Sequence, residues 1–451
     1  MNTLPLLPGF APTQTLAYRQ HHPVSQAAFL SDVLALAQRL PSTGHVFNLC
    51  TDRYWFSVSL FAAISRGVVS LLQSSTAPEH MARLAADYPD AVCLHDRAMP
   101  AVAGLPQLLV TAAHAPAGVA AHAMQPMPQI PRNQCIARIF TSGSTGQPQA
   151  HTMTFWRMHT CALAEAKRMW EVAGAPCAVL GTVSPQHMFG LEASVLLPIF
   201  GGGQFSARHP FFPADVVSAL AELPEPRLLV TTPFHLRKLM DAQLELPRVS
   251  AVLSATAPLS VALAREVEER LGAPMVEIYG STETGAVATR RPTHSTDWET
   301  YSGITVQTRD GQTLACADHY EHPQPLNDVL ELHSPSRFRL LGRSADMINI
   351  VGKRSSLAFL NQLLQSLPGV VDGVFCVLES TDVEQAMRLA AFVVAPESTS
   401  AELLAALRQH VDAVFLPRPL VFVSSLPRDA NGKISASAMA QLRAAHLTPK
   451  G

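Results

Sequence analysis

The 451-residue sequence is poor in charge and has neither a cationic leader nor a membrane-length apolar run. Charged residues make up 15% of the chain, hydrophobic residues make up 48%, and the formal net charge is −2. This balance is typical of a folded protein with a large core and argues against a nucleic-acid partner. Residues 1–10 lack the positive charge of a secretory signal. We therefore expect a cytoplasmic protein with no membrane insertion.

Paired cysteine motifs are also missing. The seven cysteines are scattered, odd in number and contain no C-x-x-C pair. This pattern lacks the common zinc-site spacing and does not favour a disulfide framework. We expect free, buried thiols.

Apolar runs and helical periodicity alternate along much of the chain. Residues 136–140 form a short apolar run typical of a buried strand, whereas residues 25–40 have apolar positions at helical spacing. Such alternation favours an α/β fold with a mostly parallel sheet. Residues 1–20 are weakly patterned and are expected to form a loose lead-in. Residues 286–341 are expected to be antiparallel, and a small βαβ-like tail follows.

A stretch rich in serine, threonine and glycine follows the apolar run at residues 136–140. Its residues are Thr141, Ser142, Gly143, Ser144, Thr145, Gly146, Gln147, Pro148 and Gln149. Glycine permits close approach of the backbone to an anion, and hydroxyl and N–H groups can donate to it. The Walker A spacing is absent. On its own, the stretch fits both a phosphate-binding loop and a plain polar turn.

Four further segments extend this pattern. They are SPQHMFG at 184–190, YGSTETG at 279–285, FRLLGRSADMINIVGKR at 338–354 and LPRDANGKI at 426–434. With TSGSTGQP at 141–148, their order and spacing resemble those of the adenylate-forming superfamily. That superfamily contains acyl-CoA and aryl-CoA ligases, nonribosomal-peptide adenylation domains and luciferases. The resemblance extends from His45 to the C-terminus.

The resemblance implies an α/β fold with two domains. A large N-terminal domain of mixed and parallel sheets with flanking helices, residues 1–343, would contain the ATP and carboxylate site. A small, mobile α+β domain, residues 344–451, would carry the catalytic lysine. Relatives rotate the small domain about an Asp or Lys, and Ala345 occupies that position here. Alanine can serve because a hinge needs permissive backbone torsions, not a particular charge.

The resemblance also implies the reaction. Such enzymes join a carboxylate to ATP, release pyrophosphate and pass the acyl group to a thiol. Both substrates of the first step are anions, so the site must control charge and geometry. The implied requirements are ATP, Mg²⁺, a small carboxylic acid and the pantetheine thiol of CoA or a holo acyl carrier protein. The compact chain favours a ligase that primes a carrier protein with an aromatic acid, in a polyketide or fatty-acid-like pathway.

Most of the implied site residues contact the nucleotide. The resemblance assigns the loop from Thr141 to Gly146 to the β- and γ-phosphates, Thr282 to the α-phosphate and Glu283 to Mg²⁺. Tyr279, followed by Gly280 and Ser281, would stack on adenine. The opposite wall, usually glycine-rich in relatives, would consist here of Ser254, Ala255, Thr256, Ala257 and Pro258.

Three of the four further assignments have a simpler alternative. Asp328 and Arg343 would contact the ribose, but the usual Thr-Gly-Asp triplet around the aspartate is missing, and a solvated aspartate also fits. His187 would lie beside the acyl pocket and the pantetheine tunnel, although a structural histidine in a proline turn fits as well. Lys433 would bridge the carboxylate and the α-phosphate, where a cation suits two converging anions, or it is a surface lysine in an Asn-Gly turn.

Two departures from the superfamily pattern keep other functions open. Gln149 replaces the usual lysine and can retain part of its hydrogen bonding, and Ala345 replaces the charged hinge residue. A non-catalytic nucleotide-binding relative is therefore one alternative, and an enzyme that delivers its acyl-adenylate to another nucleophile is a second. The first is opposed by four retained residues, Thr282, Glu283, Arg343 and Lys433.

Overall fold

The structure is a computed structural model that describes residues 2–73, 78–98, 102, 104–110, 126–142, 148–343, 347–350, 353–378, 388–429, 432 and 434–447. The helices in these ranges are α1 (Gln26–Ala37), α2 (Arg53–Arg66), α3 (Pro78–Asp87), α4 (Phe155–Ala173), α5 (Met188–Leu191), α6 (Leu197–Gly201), α7 (Pro213–Ala221), α8 (Pro233–Asp241), α9 (Val261–Leu271), α10 (Leu357–Ser366), α11 (Ser400–Arg408) and α12 (Ala436–His446). A π-helical turn, Glu192–Leu196, joins α5 to α6, and a 3₁₀ turn lies at Ala413–Phe415. None of the described helices combines the length and apolar character needed to cross a membrane.

The strands in the same ranges belong to two large sheets and several small ones. They are β1 (Thr3–Pro5), β2 (Thr15–Arg19), β3 (His22–Ser25), β4 (His45–Asn48), β5 (Val69–Leu72), β6 (Val92–His95), β7 (Gln107–Leu109), β8 (Gln129–Pro131), β9 (Cys135–Ser142), β10 (Pro148–Thr154), β11 (Ala178–Gly181), β12 (Gln204–Ser206), β13 (Arg227–Thr231), β14 (Ala251–Ser254), β15 (Met275–Ser281), β16 (Gly285–Arg290), β17 (Asp297–Thr300), β18 (Ile304–Arg309), β19 (Gln312–Ala317), β20 (Gln324–Pro325), β21 (Asp328–Ser334), β22 (Arg337–Arg343), β23 (Met347–Ile350), β24 (Lys353–Ser356), β25 (Asp372–Leu378), β26 (Arg388–Val394) and β27 (Leu420–Phe422).

The first sheet has the strand order β10–β9–β5–β4–β6–β7 in the described part of the chain. Its strands run parallel except for the β9–β10 hairpin. Helix α2 covers this sheet and also packs on α1, which is why it is buried around its whole circumference. The Asp52 side chain caps the start of α2, and Gly67 ends it in the left-handed conformation.

The second sheet has the order β21–β22–β17–β16–β15–β14–β13–β11–β12–β2–β3 within the described ranges. Strands β15, β14, β13, β11, β12 and β2 run parallel, and the strands on either side are antiparallel. The carboxyl ends of parallel strands meet at one edge of a sheet, where ligands commonly bind. This edge positions three of the sequence motifs, because residues 184–190, 254–258 and 279–285 follow or end β11, β14 and β15.

The expectation for residues 1–20 is wrong. Strand β2 lies within these residues and pairs in parallel with β12 in the second sheet. Leu16 and Ala17 are buried in the main core. The strand was missed because it is short and its surroundings are rich in proline, so no long alternation marks it.

The antiparallel region and the C-terminal part are confirmed. Pairings between β15 and β22 are antiparallel throughout residues 286–341. In the C-terminal part, β25 pairs antiparallel with β26, β26 pairs parallel with β27, and these strands share an apolar cluster with α10 and α11. The expected domain boundary between residues 343 and 344 and the hinge at Ala345 remain predictions, because residues 344–346 lie outside the described ranges.

The cysteines are free thiols as expected, but two of them, Cys135 and Cys316, are only partly buried. All seven cysteines fall in the described ranges and all are free thiols, five of them buried. Burial raises the pKa of the Cys93 thiol to about 11 and that of Cys177 to about 12. These thiols therefore act as small apolar side chains of the core.

The buried cation Arg53 joins α2, which covers the first sheet, to the second sheet. Its side chain is 0% exposed. The guanidinium donates to the carbonyls of Gly181 at 2.9 Å, Val183 at 3.0 Å and Ser206 at 3.1 Å, and also to the carbonyl of Arg208. Burial lowers the pKa of Arg53 to about 10, so the group stays charged at neutral pH. The segments after β11 and β12 are thereby held in one place.

The turn that follows β11 requires glycine at position 190. A Cβ on Gly190 would lie 1.9 Å from the carbonyl oxygen of Ser184. A backbone atom cannot rotate away, so we expect Gly190→Ala to cost more than the roughly 1–3 kcal/mol typical of overpacking. The midpoint of thermal unfolding should fall by several degrees.

Gly9→Ala is the matched control, because a Cβ at Gly9 meets nothing within 4 Å. It should unfold at the wild-type temperature. A Gly190→Ala protein that also unfolds at that temperature would contradict the close packing of this turn.

Candidate active site

The two ends of the Ser/Thr/Gly stretch lie in strands β9 and β10, where Thr141 pairs with Gln149 and Ser142 pairs with Pro148. The predicted phosphate-contacting residues Gly143, Ser144, Thr145 and Gly146 lie outside the described residues. Their role in phosphate binding therefore stays a prediction.

The YGSTETG segment forms a tight connection between β15 and β16. The Thr284 hydroxyl accepts from the Ser281 N–H at 3.0 Å, and the Ser281 hydroxyl accepts from the Thr284 N–H at 3.3 Å. A Cβ at Gly280 would lie 2.1 Å from the carbonyl oxygen of Gly285, so only glycine fits there. These contacts fix the backbone on both sides of Thr282 and Glu283.

The Glu283 carboxylate faces the β9–β10 hairpin. Its Oε1 lies 3.6 Å from Nε2 of His151, a residue of β10. Partial burial acts to raise the pKa of Glu283, but the Ser281 hydroxyl, a backbone N–H, His151 and Arg157 outweigh it and hold that pKa below its usual range. Glu283 is therefore ionised at neutral pH and lies beside β10, the strand that follows the predicted phosphate loop in the sequence.

Sequence reasoning missed His151. The residue lies two positions after Gln149, and nothing in the local pattern indicates a partner more than a hundred residues away. Only the pairing of β10 with β9 and the packing of the two sheets bring it to Glu283.

Tyr279 and Asp328, both predicted nucleotide contacts, are direct neighbours. The Tyr279 hydroxyl donates to Oδ2 of Asp328 at 2.6 Å. The Tyr279 ring packs against Trp298 and Phe338, and Asp328 pairs with Arg343 across β21 and β22. The structure thus brings together three residues predicted from separate motifs. Their contacts with adenine and ribose stay predictions.

The segment from Ser254 to Pro258 follows β14 at the same edge of the second sheet. Ser254 and Ala255 are buried, and Ala257 and Pro258 lead toward helix α9. Thr256 has a φ of 80°, in the left-handed region that a β-branched residue rarely adopts. The backbone conformation therefore fits the glycine-rich character of this wall in relatives, although the side chain does not.

His187 begins α5 in the turn formed by residues 184–190. Its N–H donates to the Ser184 carbonyl at 3.2 Å, and its carbonyl accepts from the Leu191 N–H at 2.8 Å. His187 and His235 both lie close enough to His209 to influence its charge. Burial, the Arg53 cation, His235 and His187 lower the pKa of His209 to about 4, although its hydrogen bond with the Thr182 carbonyl opposes them, so His209 is neutral at pH 7. The predicted pocket role of His187 stays a prediction.

The loop that leads to Lys433 is held by Arg428. The Arg428 side chain donates to both carboxylate oxygens of Asp372 at 2.7 Å and to the Gly432 carbonyl at 2.8 Å. Gly432 packs against Phe234 of α8, where a Cβ on the glycine would lie 2.9 Å from the Phe234 Cβ. Lys433 itself lies outside the described residues.

Comparison with known proteins identifies the family. Residues 11–333 match the AMP-binding enzyme family, and residues 361–433 match the AMP-binding enzyme C-terminal domain. The chain therefore belongs to the AMP-binding enzyme family, within the adenylate-forming superfamily that its motifs resemble.

Within this family, the chain is similar to two CoA ligases in sequence and to a CoA synthetase in structure. A 4-coumarate–CoA ligase of Rhodobacter capsulatus is 28% identical over 67% of this chain and 76% of its own length. A 4-chlorobenzoate–CoA ligase of an Arthrobacter species is 25% identical over 70% of this chain and 68% of its own. The structure of o-succinylbenzoate CoA synthetase from Bacillus subtilis with an acyl-adenylate intermediate matches with a TM-score of 0.79 at 18% identity, over 94% of each chain. This match confirms the expected fold, a large sheet-containing N-terminal domain with a small C-terminal domain.

The backbone at Thr256 gives a prediction about stability. A strained φ costs on the order of 1–3 kcal/mol, whereas the entropic cost of introducing glycine is about 0.5–1 kcal/mol. We therefore expect Thr256→Gly to raise the midpoint of thermal unfolding of the ligand-free protein.

Thr256→Ala is the control at the same position, because it removes the branched side chain but keeps a Cβ at positive φ. It should gain less than the glycine variant. Loss of stability in Thr256→Gly, with a gain in Thr256→Ala, would show that side-chain crowding and not backbone strain governs this position.

Proposed function

We propose that the protein is an AMP-forming acid–thiol ligase that adenylates an aromatic carboxylic acid and transfers the acyl group to a pantetheine thiol. The observation that carries the proposal is the 3.6 Å approach of the Glu283 carboxylate to His151 of β10, the strand that follows the predicted phosphate loop in the sequence. This contact brings a carboxylate oxygen that can bind a metal ion to the hairpin that would hold the triphosphate. The family membership supports the same chemistry.

The described residues fit MgATP. Glu283 supplies a partly exposed carboxylate, the kind of hard oxygen ligand that Mg²⁺ prefers, and the metal would neutralise phosphate charge. Thr282 would donate to the α-phosphate. The ring of Tyr279 would contact adenine, and Asp328 and Arg343 would contact the ribose.

The acid and the acceptor are the finer parts of the proposal. Two relatives are named for aromatic acids, 4-coumarate and 4-chlorobenzoate, and both are CoA ligases. We therefore expect an aromatic acid, with His187 beside it. CoA and a holo acyl carrier protein present the same pantetheine thiol, so both are candidate acceptors. Priming of a polyketide or fatty-acid-like pathway belongs to the carrier-protein case.

A pyrophosphate-release screen tests the proposal. Benzoates and cinnamates with varied ring substituents should release pyrophosphate faster than fatty acids of similar size. The best acid is then supplied with CoA in one arm and with a holo acyl carrier protein in the other, and thioester formation is measured. Absence of acid-dependent release with every aromatic acid would overturn the proposal.

Lys433 is predicted to act in adenylation alone. Lys433→Ala should slow acid-dependent pyrophosphate release by several orders of magnitude, because the cation between two converging anions is lost. Thioester formation from supplied acyl-adenylate should survive.

The matched control for this variant is Lys167→Ala, at an exposed position on α4. It should leave both half-reactions at wild-type rates. Equal loss of both half-reactions in Lys433→Ala would contradict the assigned role.

Glu283 is predicted to be a Mg²⁺ ligand. Glu283→Gln removes the negative charge but keeps the side-chain shape, so the Mg²⁺ concentration needed for half-maximal adenylation should rise while the unfolding temperature changes little. Glu299→Gln, which alters an exposed carboxylate paired with Arg168, serves as the control. A Glu283→Gln protein with lowered stability and unchanged Mg²⁺ dependence would favour a structural role.

A further inference from the structure

Three buried side chains hold the backbone of residues 282–286 from outside. Arg157 of α4 donates to the Thr282 carbonyl at 3.4 Å. Tyr320, just after β19, donates to the Thr284 carbonyl at 2.8 Å. Glu192 of the π-helical turn accepts from the Ala286 N–H at 3.1 Å. The contacts come from three separate elements and surround the connection that carries Thr282 and Glu283.

These contacts are made deep in the protein. Arg157 and Tyr320 are each 8% exposed, and Glu192 is 4% exposed. A polar side chain buried to this extent is costly unless it forms hydrogen bonds. The three side chains satisfy that need partly through the loop, so a displaced loop would leave buried donors and acceptors without partners.

Glycine at position 285 allows the Glu192 contact. Gly285 has a φ of 68°, and a Cβ there would lie 2.6 Å from Oε1 of Glu192. Any larger residue would push the carboxyl group away from the Ala286 N–H. The second glycine of YGSTETG thus serves the contact as well as the turn.

Two other buried polar side chains near Glu192, those of Tyr301 and Glu165, do not form hydrogen bonds with the loop. The Tyr301 hydroxyl and both carboxyl oxygens of Glu165 are buried and have no hydrogen-bond partner among the described residues. Both side chains are close enough to Glu192 to interact with its charge. Burial in this region therefore does not by itself produce contact with the loop.

We propose that Arg157, Glu192 and Tyr320 are positioning residues that hold Thr282 and Glu283 in the geometry needed to bind MgATP. This inference rests on the proposed function. None of the three contacts a reacting atom in the proposal. Each forms a hydrogen bond with the loop backbone, and the Arg157 cation also helps to lower the pKa of Glu283. If the loop is already ordered in the free protein, less conformational entropy is lost when the nucleotide binds.

Tyr320→Phe and Tyr301→Phe form a matched pair of tests. Each removes one buried hydroxyl, but only Tyr320→Phe removes a contact with the loop. We expect Tyr320→Phe to raise the Mg²⁺ concentration for half-maximal pyrophosphate release about tenfold, the size expected for one hydrogen bond. The KM for the carboxylic acid should not change. Tyr301→Phe should match the wild type in both measurements.

Hydrogen–deuterium exchange gives a readout that needs no acid substrate. Amides of residues 281–286 should exchange about tenfold faster in Tyr320→Phe than in Tyr301→Phe. Glu192→Gln keeps a carbonyl acceptor for the Ala286 N–H and should retain slow exchange. Glu192→Met fills similar space without an acceptor and should lose it.

The outcomes separate this inference from the proposed function. Equal exchange and equal Mg²⁺ dependence in the two tyrosine variants overturn the inference. Faster exchange with unchanged Mg²⁺ dependence also overturns it, because the contacts are then only structural. A wild-type protein that binds MgATP but releases no pyrophosphate with any acid overturns the proposed function alone, since exchange and MgATP binding still test the three contacts.

Discussion

The relative placement of the two large sheets depends on the hydrogen bonds of Arg53. A cation with no exposed surface is costly unless it forms hydrogen bonds. The Arg53 guanidinium donates to four backbone carbonyls through Nη1 and Nη2, and only its Nε–H has no partner among the described residues. Those carbonyls lie at the ends of β11 and β12 of the second sheet or just after them, whereas Arg53 begins a helix that packs on the first sheet. Breaking the arrangement would leave a buried charge uncompensated, which is strongly destabilising. The sheets are therefore held in one relation at the point where the site is built.

This relation matters because each sheet supplies a different half of the site. The β9–β10 hairpin of the first sheet carries the predicted phosphate loop and His151. The carboxyl edge of the second sheet supplies the Thr282–Glu283 connection and the Tyr279–Asp328 pair. A small shift between the sheets would change the distance between His151 and Glu283 directly. The geometry of the candidate site thus depends on how the two sheets pack together.

The sequence was informative where a motif acts locally. The motif at Tyr279–Gly285 and the candidate Asp328 could be picked out because they match motifs and spacings of the superfamily that the chain resembles. His151, Arg157, Glu192 and Tyr320 could not, since their contacts join elements far apart in the chain. The strand β2 was missed for a related reason, because its partner β12 lies almost two hundred residues later. Side chains that support a motif from another element leave no local pattern.

The charge state of the buried cluster explains how acidic groups can lie behind a site for an anion. Burial and the neighbouring Glu192 raise the pKa of Glu165 well above its ordinary value, which favours its neutral form. Burial also raises the pKa of Glu192, to about 7, although Arg157 and the Ala286 N–H oppose that effect. Repulsion between the two buried carboxyl groups disfavours more than one negative charge beside the Arg157 cation. Because a carboxylic acid and a carboxylate can both accept from an N–H, the contact with Ala286 does not require that charge. The loop can therefore be held without placing a net negative charge behind the triphosphate.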